Sequence, residues 1–404
     1  MDNILELSLG KNYVSNWKLW EAIRELLQNA QDAEKEGHPM RIDYDNDDYT
    51  LTIKTSGKSL DVSSLVLGNS VKGSDNAIGK YGEGYKLALL VLLRLGKSVK
   101  IYTTNETWIP KFVYSEKYQT DVLAIERLQQ EGETLDEFII FEIGPINMSE
   151  LHELQVKSLR MHDDLRALGS KRVDCEYGQI LLDERFASRF YVEGLYIQTD
   201  ENFKYGYSFN ADVVDLDRDR RAINYYDLCE LTTKSLMTQT EDFEIVETSI
   251  TKKTHDSKDL QYFYNQASSE FKEGFADHYI EKHNHSKDTF FGTEKEVAIS
   301  DAEEKVVVDE ITASWLNDGL GKSEEYEDIK YKAKAKNNKE VAYKLYNDSI
   351  LRPLYDWLLH NKKRLSKTQI LKFIELTNDV SVSGIMNIRE EIVAEVLKEC
   401  GIEK

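Results

Sequence analysis

The stretch Gly79-Lys80-Tyr81-Gly82-Glu83-Gly84-Tyr85-Lys86 runs straight into the apolar segment Leu87 to Leu93. Glycine admits positive φ and lets a backbone approach a ligand closely. A helix start offers unpaired N–H groups and a partial positive charge, which suits phosphate. Taken alone, three glycines before a helix also describe an ordinary turn onto a packed helix. A second stretch about fifty residues upstream changes that reading: Glu25-Leu26-Leu27-Gln28-Asn29-Ala30-Gln31-Asp32-Ala33.

This upstream segment is helical by its spacing. Leu19, Trp20, Ile23, Leu26, Leu27, Ala30 and Ala33 recur with the period of an amphipathic helix from Trp17 to about Lys35. Glu25, Asn29 and Asp32 stand at i, i+4 and i+7 and so share one face. A polar helix face is most often only solvated. It can also carry chemistry, since a carboxylate orients and deprotonates water and an amide oxygen suits Mg²⁺, a hard ion. Strand-like alternation follows at 41–44 and 49–54, around the turn Asp45-Asn46-Asp47-Asp48. Further strands are expected at 99–103, 108–114, 121–125 and 138–143, which completes a helix-and-antiparallel-sheet pattern over roughly residues 1–150.

The two motifs in this order, within residues 17–104 and about a fifth of the chain, resemble the nucleotide-binding domain of the GHKL superfamily. Its members include DNA gyrase B, Hsp90, histidine kinases, MutL and MORC-type ATPases. The resemblance implies an α+β fold with a Bergerat-type helix-over-sheet sandwich, and Mg²⁺-dependent binding and hydrolysis of ATP. It makes Glu25 the general base and Asn29 the Mg²⁺ ligand. Asp32, with Ala33 beside it, falls near the sugar and adenine. Gly79, Gly82 and Gly84 become the hinge and phosphate cradle, with Lys80, Tyr81 and Glu83 between them as nucleotide-binding candidates, and residues 68–80 the lid. Lys72, Lys80 and Lys86 are candidates for phosphate contact. Lys86 is nearly alone as a polar residue in its apolar helix, and snorkelling to the surface is its other reading. Glu83 has a solvated carboxylate as its alternative.

One departure bears on the base. The family pattern has Asp-x-Gly after the second strand, where this chain reads Thr55-Ser56-Gly57. A hydroxyl accepts a hydrogen bond less strongly than a carboxylate, so adenine recognition is left open. Gly-Lys-Ser at 57–59, 96–98 and 321–323 lacks the leading glycine of a Walker loop.

The 404 residues carry a net charge of −21, which speaks against a chain that coats nucleic acid, though not against a local basic groove. Three scattered cysteines read as reduced, and no run is long enough to span a membrane. The N-terminal run is acidic and short for a signal peptide, so a cytoplasmic location is expected. The expected layout is a nucleotide-binding domain over 1–148, a transducer-like α/β domain over 149–281, a linker at 282–302 and a helical region over 303–404. In the middle part, Tyr191–Gln198 and Asp217-Arg218-Asp219-Arg220-Arg221 look like the segment that brings a basic residue to the γ-phosphate in Hsp90-like and MutL-like proteins. A surface ion-pair cluster is the plainer reading of those arginines. The histidines at 278, 283 and 285 have no metal-ligand spacing, and Trp17, Trp20, Trp315 and Trp357 read as core or interface.

The family's habit implies a nucleotide-dependent homodimer acting on a protein or DNA partner, with residues before Trp17 as an exchanged strap. A nucleotide-binding module with little hydrolysis is the alternative, and the glycine motif loosely resembles phage proteins of the rIIA type. A two-component protein kinase is least expected, because no helix with a phospho-acceptor histidine precedes the motif in this chain.

Overall fold

The computed structural model describes residues 3–65, 84–129, 136–165, 171–214, 222–263, 266–378, 380 and 384–402. The chain divides into two compact units, Met1–Gln266 and Ala267–Lys404. The fold is α+β, with a large antiparallel sheet and helices followed by a helical C-terminal region.

The first unit opens with β1 (Ile4–Gly10), α1 (Leu19–Lys35), β2 (Met40–Asp45) and β3 (Thr50–Ser56). Then come α2 (Gly84–Arg94), β4 (Ser98–Thr103), β5 (Glu106–Ser115), β6 (Thr120–Gln129) and β7 (Phe138–Gly144). The seven strands make one antiparallel sheet in the order β1-β6-β5-β4-β7-β3-β2. Strand alternation shows directly in β3, where Leu51, Ile53 and Thr55 are buried and their neighbours half-exposed. The buried face meets α1 and α2, which pack on each other. Ile23, Leu26 and Leu27 of α1, Leu89 and Leu90 of α2, and Ile53, Ile101 and Ile143 of the sheet share one core.

The segment before Trp17 contains β1. Leu7 and Leu9 alternate into the core, and the strand pairs in the same chain with β6, Leu5 opposite Ile125. In this structure the segment proposed as an exchanged strap is thus the edge strand of its own sheet.

The remainder of the first unit begins with α3 (Met148–Lys157) and α4 (Leu159–Leu165). It continues through β8 (Arg172–Cys175), β9 (Gly178–Leu181), β10 (Arg189–Val192), β11 (Leu195–Thr199) and β12 (Gly206–Phe209). These strands form a second sheet in the order β11-β10-β12-β9-β8, with β10 and β12 parallel. Helices α5 (Tyr225–Thr238), α6 (Phe243–Lys252) and α7 (Leu260–Phe263) complete the unit. A wholly buried Asp256 ties helices to strands. It accepts from Lys204 N at 2.7 Å, Tyr205 N at 3.2 Å and the Tyr207 hydroxyl at 2.6 Å.

The second unit contains α8 (Ser269–His283), β13 (Phe290–Gly292), α9 (Glu294–Val297), β14 (Lys305–Val307) and α10 (Glu310–Gly319). It ends with α11 (Ser323–Asn347), α12 (Leu351–Asn361), α13 (Lys367–Thr377) and α14 (Arg389–Glu399). The linker expected at 282–302 is corrected here. That stretch holds the end of α8, β13 and α9, and Phe290 and Phe291 are buried. The polar composition hid a short strand whose aromatic pair supplies the anchoring. Among the described residues no helix is long and apolar enough to cross a membrane.

Candidate functional site

Helix α1 is buried almost all round. Its apolar residues face the core, and on the opposite flank Arg24, Gln28 and Asp32 are also buried. Burying polar groups is costly unless they find partners, so this helix serves as more than a packing element. Arg24 Nη2 donates to Glu25 Oε1 at 3.1 Å, and the guanidinium carbon Cζ lies 6.0 Å from the centroid of the Trp17 ring. Arg24 Nε and Gln28 Oε1 are buried without a hydrogen-bond partner among the described residues.

The structure brings Glu25 against Gly84. A β-carbon on Gly84 would overlap Glu25 Oε2 and stand 3.3 Å from Cδ. The carboxylate sits where a side chain would be, at the first residue of α2, so a β-carbon there would have to push it aside. Two residues on, Lys86 is wholly buried, with Nζ 5.6 Å from the centroid of the Tyr85 ring. Snorkelling, one of the two readings of Lys86, does not occur. Lys72, Gly79, Lys80, Tyr81, Gly82 and Glu83 lie outside the described residues, as do Arg218 and Arg220.

Tyr85 was missed by sequence reasoning. Its hydroxyl donates to Ser64 O at 2.8 Å and lies 3.0 Å from Ser64 Oγ. Burial pushes the phenol up to about 12. The contact ties the short helical turn Val62–Leu65, after β3, to the first turn of α2. The signal was present as Ser63-Ser64 upstream and a tyrosine directly after the last glycine.

The remaining candidate residues lie where α1 runs out towards β2 and β3. Asn29 is half-buried one turn beyond Glu25, while Asp32 and Ala33 are buried. His38 N donates to Ala33 O at 2.9 Å. Thr55 is buried and faces Met40 in register on one side and Ile139 on the other. Gly57 takes φ +74°, and a β-carbon there would stand 3.1 Å from His38 Nδ1. One helix thus carries Glu25 to the start of α2 and, near its other end, Ala33 to His38, the residue beside Gly57. Over the seven residues from Glu25 to Asp32 it spans about 10 Å.

The second sheet reaches α1 through the β10–β11 turn. Gln31 Nε2 donates to Glu193 O at 3.3 Å, and Lys35 pairs with Glu193 at 3.0 Å. A polar cavity of about 390 Å³ lies here, lined by Gln31, Arg160, Asp163, Arg172, Glu193 and Asn210 among others. Arg172 donates to both Asp163 oxygens, at 2.8 and 2.9 Å, and Arg160 to Asp164 at 2.9 Å. This cavity is on the Gln31 flank of α1, away from the Glu25–Gly84 contact. Gln198, at the end of the Tyr191–Gln198 segment, accepts from Ile223 N at 2.7 Å. In the second unit, the His283 ring lies 4.4 Å from that of Tyr279 and the His285 ring 5.6 Å from that of Phe291.

No family model matches the chain. An uncharacterised protein of Mycoplasma pneumoniae is 26% identical over 209 residues, covering 50% of this chain and 82% of that protein. Among solved structures, the ATPase region of Saccharomyces cerevisiae topoisomerase II is similar at a TM-score of 0.28 and 12% identity, over 44% of this chain. The same region bound to ICRF-187 gives a TM-score of 0.27 and 11% identity, also over 44% of this chain. Both matches span 62% of those chains, less than two thirds of their length.

Proposed function

We propose that the first unit binds ATP and hydrolyses it, with Glu25 as the general base for the attacking water. The observation that carries this reading is the seat of the Glu25 carboxylate against Gly84, with Lys86 buried two residues further along α2. A polyphosphate at the head of α2 would meet backbone N–H groups and a carboxylate able to orient water beside them. Gly79, Gly82 and Gly84 are the proposed cradle, with Lys72, Lys80 and Lys86 as cationic partners. Asp32 and Thr55 stand at the nucleoside end.

The oxygen-bearing side chains of α1 fit Mg²⁺. Asn29 supplies an amide oxygen one turn from Glu25, and the buried Gln28 Oε1, which has no hydrogen-bond partner among the described residues, lies on the same helix. Asn29 is the residue proposed to hold the ion, which when bound offsets phosphate charge. The chain's own part is to aim Glu25, bury Lys86 and position the phosphates through the glycine turn.

Replacing Glu25 with Ala tests the proposal. Purified protein should keep its affinity for a non-hydrolysable ATP analogue and lose phosphate release. A second reading, nucleotide binding with little turnover, draws support from the Arg24–Glu25 ion pair, since the guanidinium competes for the carboxylate. On that reading the parent protein has no turnover for the substitution to remove. Coupling of the nucleotide to dimerisation and to a protein or DNA partner belongs to the same proposal.

A further inference from the structure

The second unit carries a local inversion of charge. Between Trp357 and Ile374 the chain has five Lys or Arg residues and neither Asp nor Glu, within a protein of net charge −21. The stretch covers the last half of α12, the single-turn helix Lys362–Arg364 and most of α13. Lys363, Arg364 and Lys367 are exposed, and none forms an ion pair with another described residue. Lys362 donates to Glu399 O at 2.7 Å and Lys372 to Glu375 at 2.8 Å.

An aromatic pair stands beside this basic turn. Trp357 stacks on Phe373 with ring centroids 5.6 Å apart and planes at 23°. Trp357 is nevertheless 53% exposed. The pair joins α12 to α13, and along each helix it lies within about 10 Å of the basic turn. Phe373 backs the indole on one side, and about half of the Trp357 surface is open to solvent.

We infer that this α12–α13 hairpin binds a short single-stranded segment of nucleic acid. Phosphates would pair with Lys363, Arg364 and Lys367, and a base would stack on the exposed face of Trp357. An acidic peptide could use the cations but would leave the flat aromatic surface idle. The acidic excess over the rest of the chain repels a polyanion and confines contact to this patch. The inference is independent of the nucleotide site in the first unit.

The test uses the full chain without nucleotide and a fluorescently labelled 20-nucleotide oligothymidine, read by anisotropy. Binding is expected at 50 mM salt and should weaken roughly 20-fold by 200 mM, as for about three phosphates neutralised on a single strand. The double substitution Lys363→Glu and Arg364→Glu should weaken it at least about tenfold and flatten the salt slope. Trp357→Ala should weaken it about tenfold with the slope unchanged, and Trp357→Phe should restore most of the loss. Circular dichroism and the thermal midpoint report whether each variant is folded. No binding at 50 mM salt, or equal binding by the charge-reversed variant, overturns the inference. So does polyglutamate binding as tightly as the oligonucleotide with no effect of Trp357→Ala, a result that assigns the patch to acidic protein surfaces.

Discussion

Glu25 and Gly84 are the pair on which the proposed chemistry turns, and each yields a distinct expectation. Removing a general base commonly costs 10²–10⁴ in rate. Glu25→Ala should therefore reduce phosphate release by about that range while equilibrium binding of an analogue stays within a few-fold. Gly84→Ala is the subtler change. The atom that a new methyl would strike is the far end of a flexible side chain, so the carboxylate moves before the backbone does. Alanine at a helix start is also no worse for the helix than glycine. The thermal midpoint should hardly change, whereas turnover should fall by about 100-fold, because a reacting group displaced by about 1 Å can cost that much. Paired measurements of stability and rate on the same preparation check both halves.

Elements are held in place by polar groups that few sequence rules would single out. Tyr85 fastens the first turn of α2 to the segment after β3 through Ser64. Its phenol is raised to about 12 by burial, so the folded protein keeps that proton at pH values where an unfolded tyrosine loses it. The contribution is complete below about pH 10 and disappears as pH rises towards 12, an upper bound of about 2–3 kcal/mol. Tyr85→Phe should lose about 1 kcal/mol at pH 9, from the hydrogen bond to Ser64, and should then decline less steeply between pH 10 and 12. Urea midpoints across that range give the answer. Tyr205, also raised to about 12 by burial, leaves a residual decline in the variant. Asp256 does the equivalent work between α5, α6 and the second sheet. Asp256→Ala strands two backbone N–H groups and the Tyr207 hydroxyl in a buried place. A loss of about 3 kcal/mol or more is expected in chemical denaturation.

At the scale of the whole molecule, two compact units with separate cores share one chain. Nucleotide-coupled assembly is a proposal about the first of them. Size-exclusion chromatography with light scattering, with and without a non-hydrolysable analogue, should show a doubled mass when the analogue is bound. An unchanged mass removes the dimerisation reading and leaves the Glu25 chemistry standing. In the structure described here β1 completes its own sheet, so any exchange of that segment must break the β1–β6 pairing first.

The amino-acid sequence by itself determined the period of α1, the shared face of Glu25, Asn29 and Asp32, the glycine turn onto an apolar helix, and most strands of the first sheet. Those features are local: a helix repeats every 3.6 residues and a strand every two, whatever lies across from them. It did not reveal β1, β12 or the parallel pair β13–β14, because such short strands are stabilised by a partner distant in the chain, nor β8, whose four residues are too few to show an alternation although β9 follows directly. Only the tertiary structure decided that Lys86 is buried rather than snorkelling, that Trp357 is half-exposed rather than core, and that Glu25 rests on Gly84. Burial depends on which surfaces meet, and 48 residues of intervening chain separate the helix that supplies the carboxylate from the glycine that makes room for it.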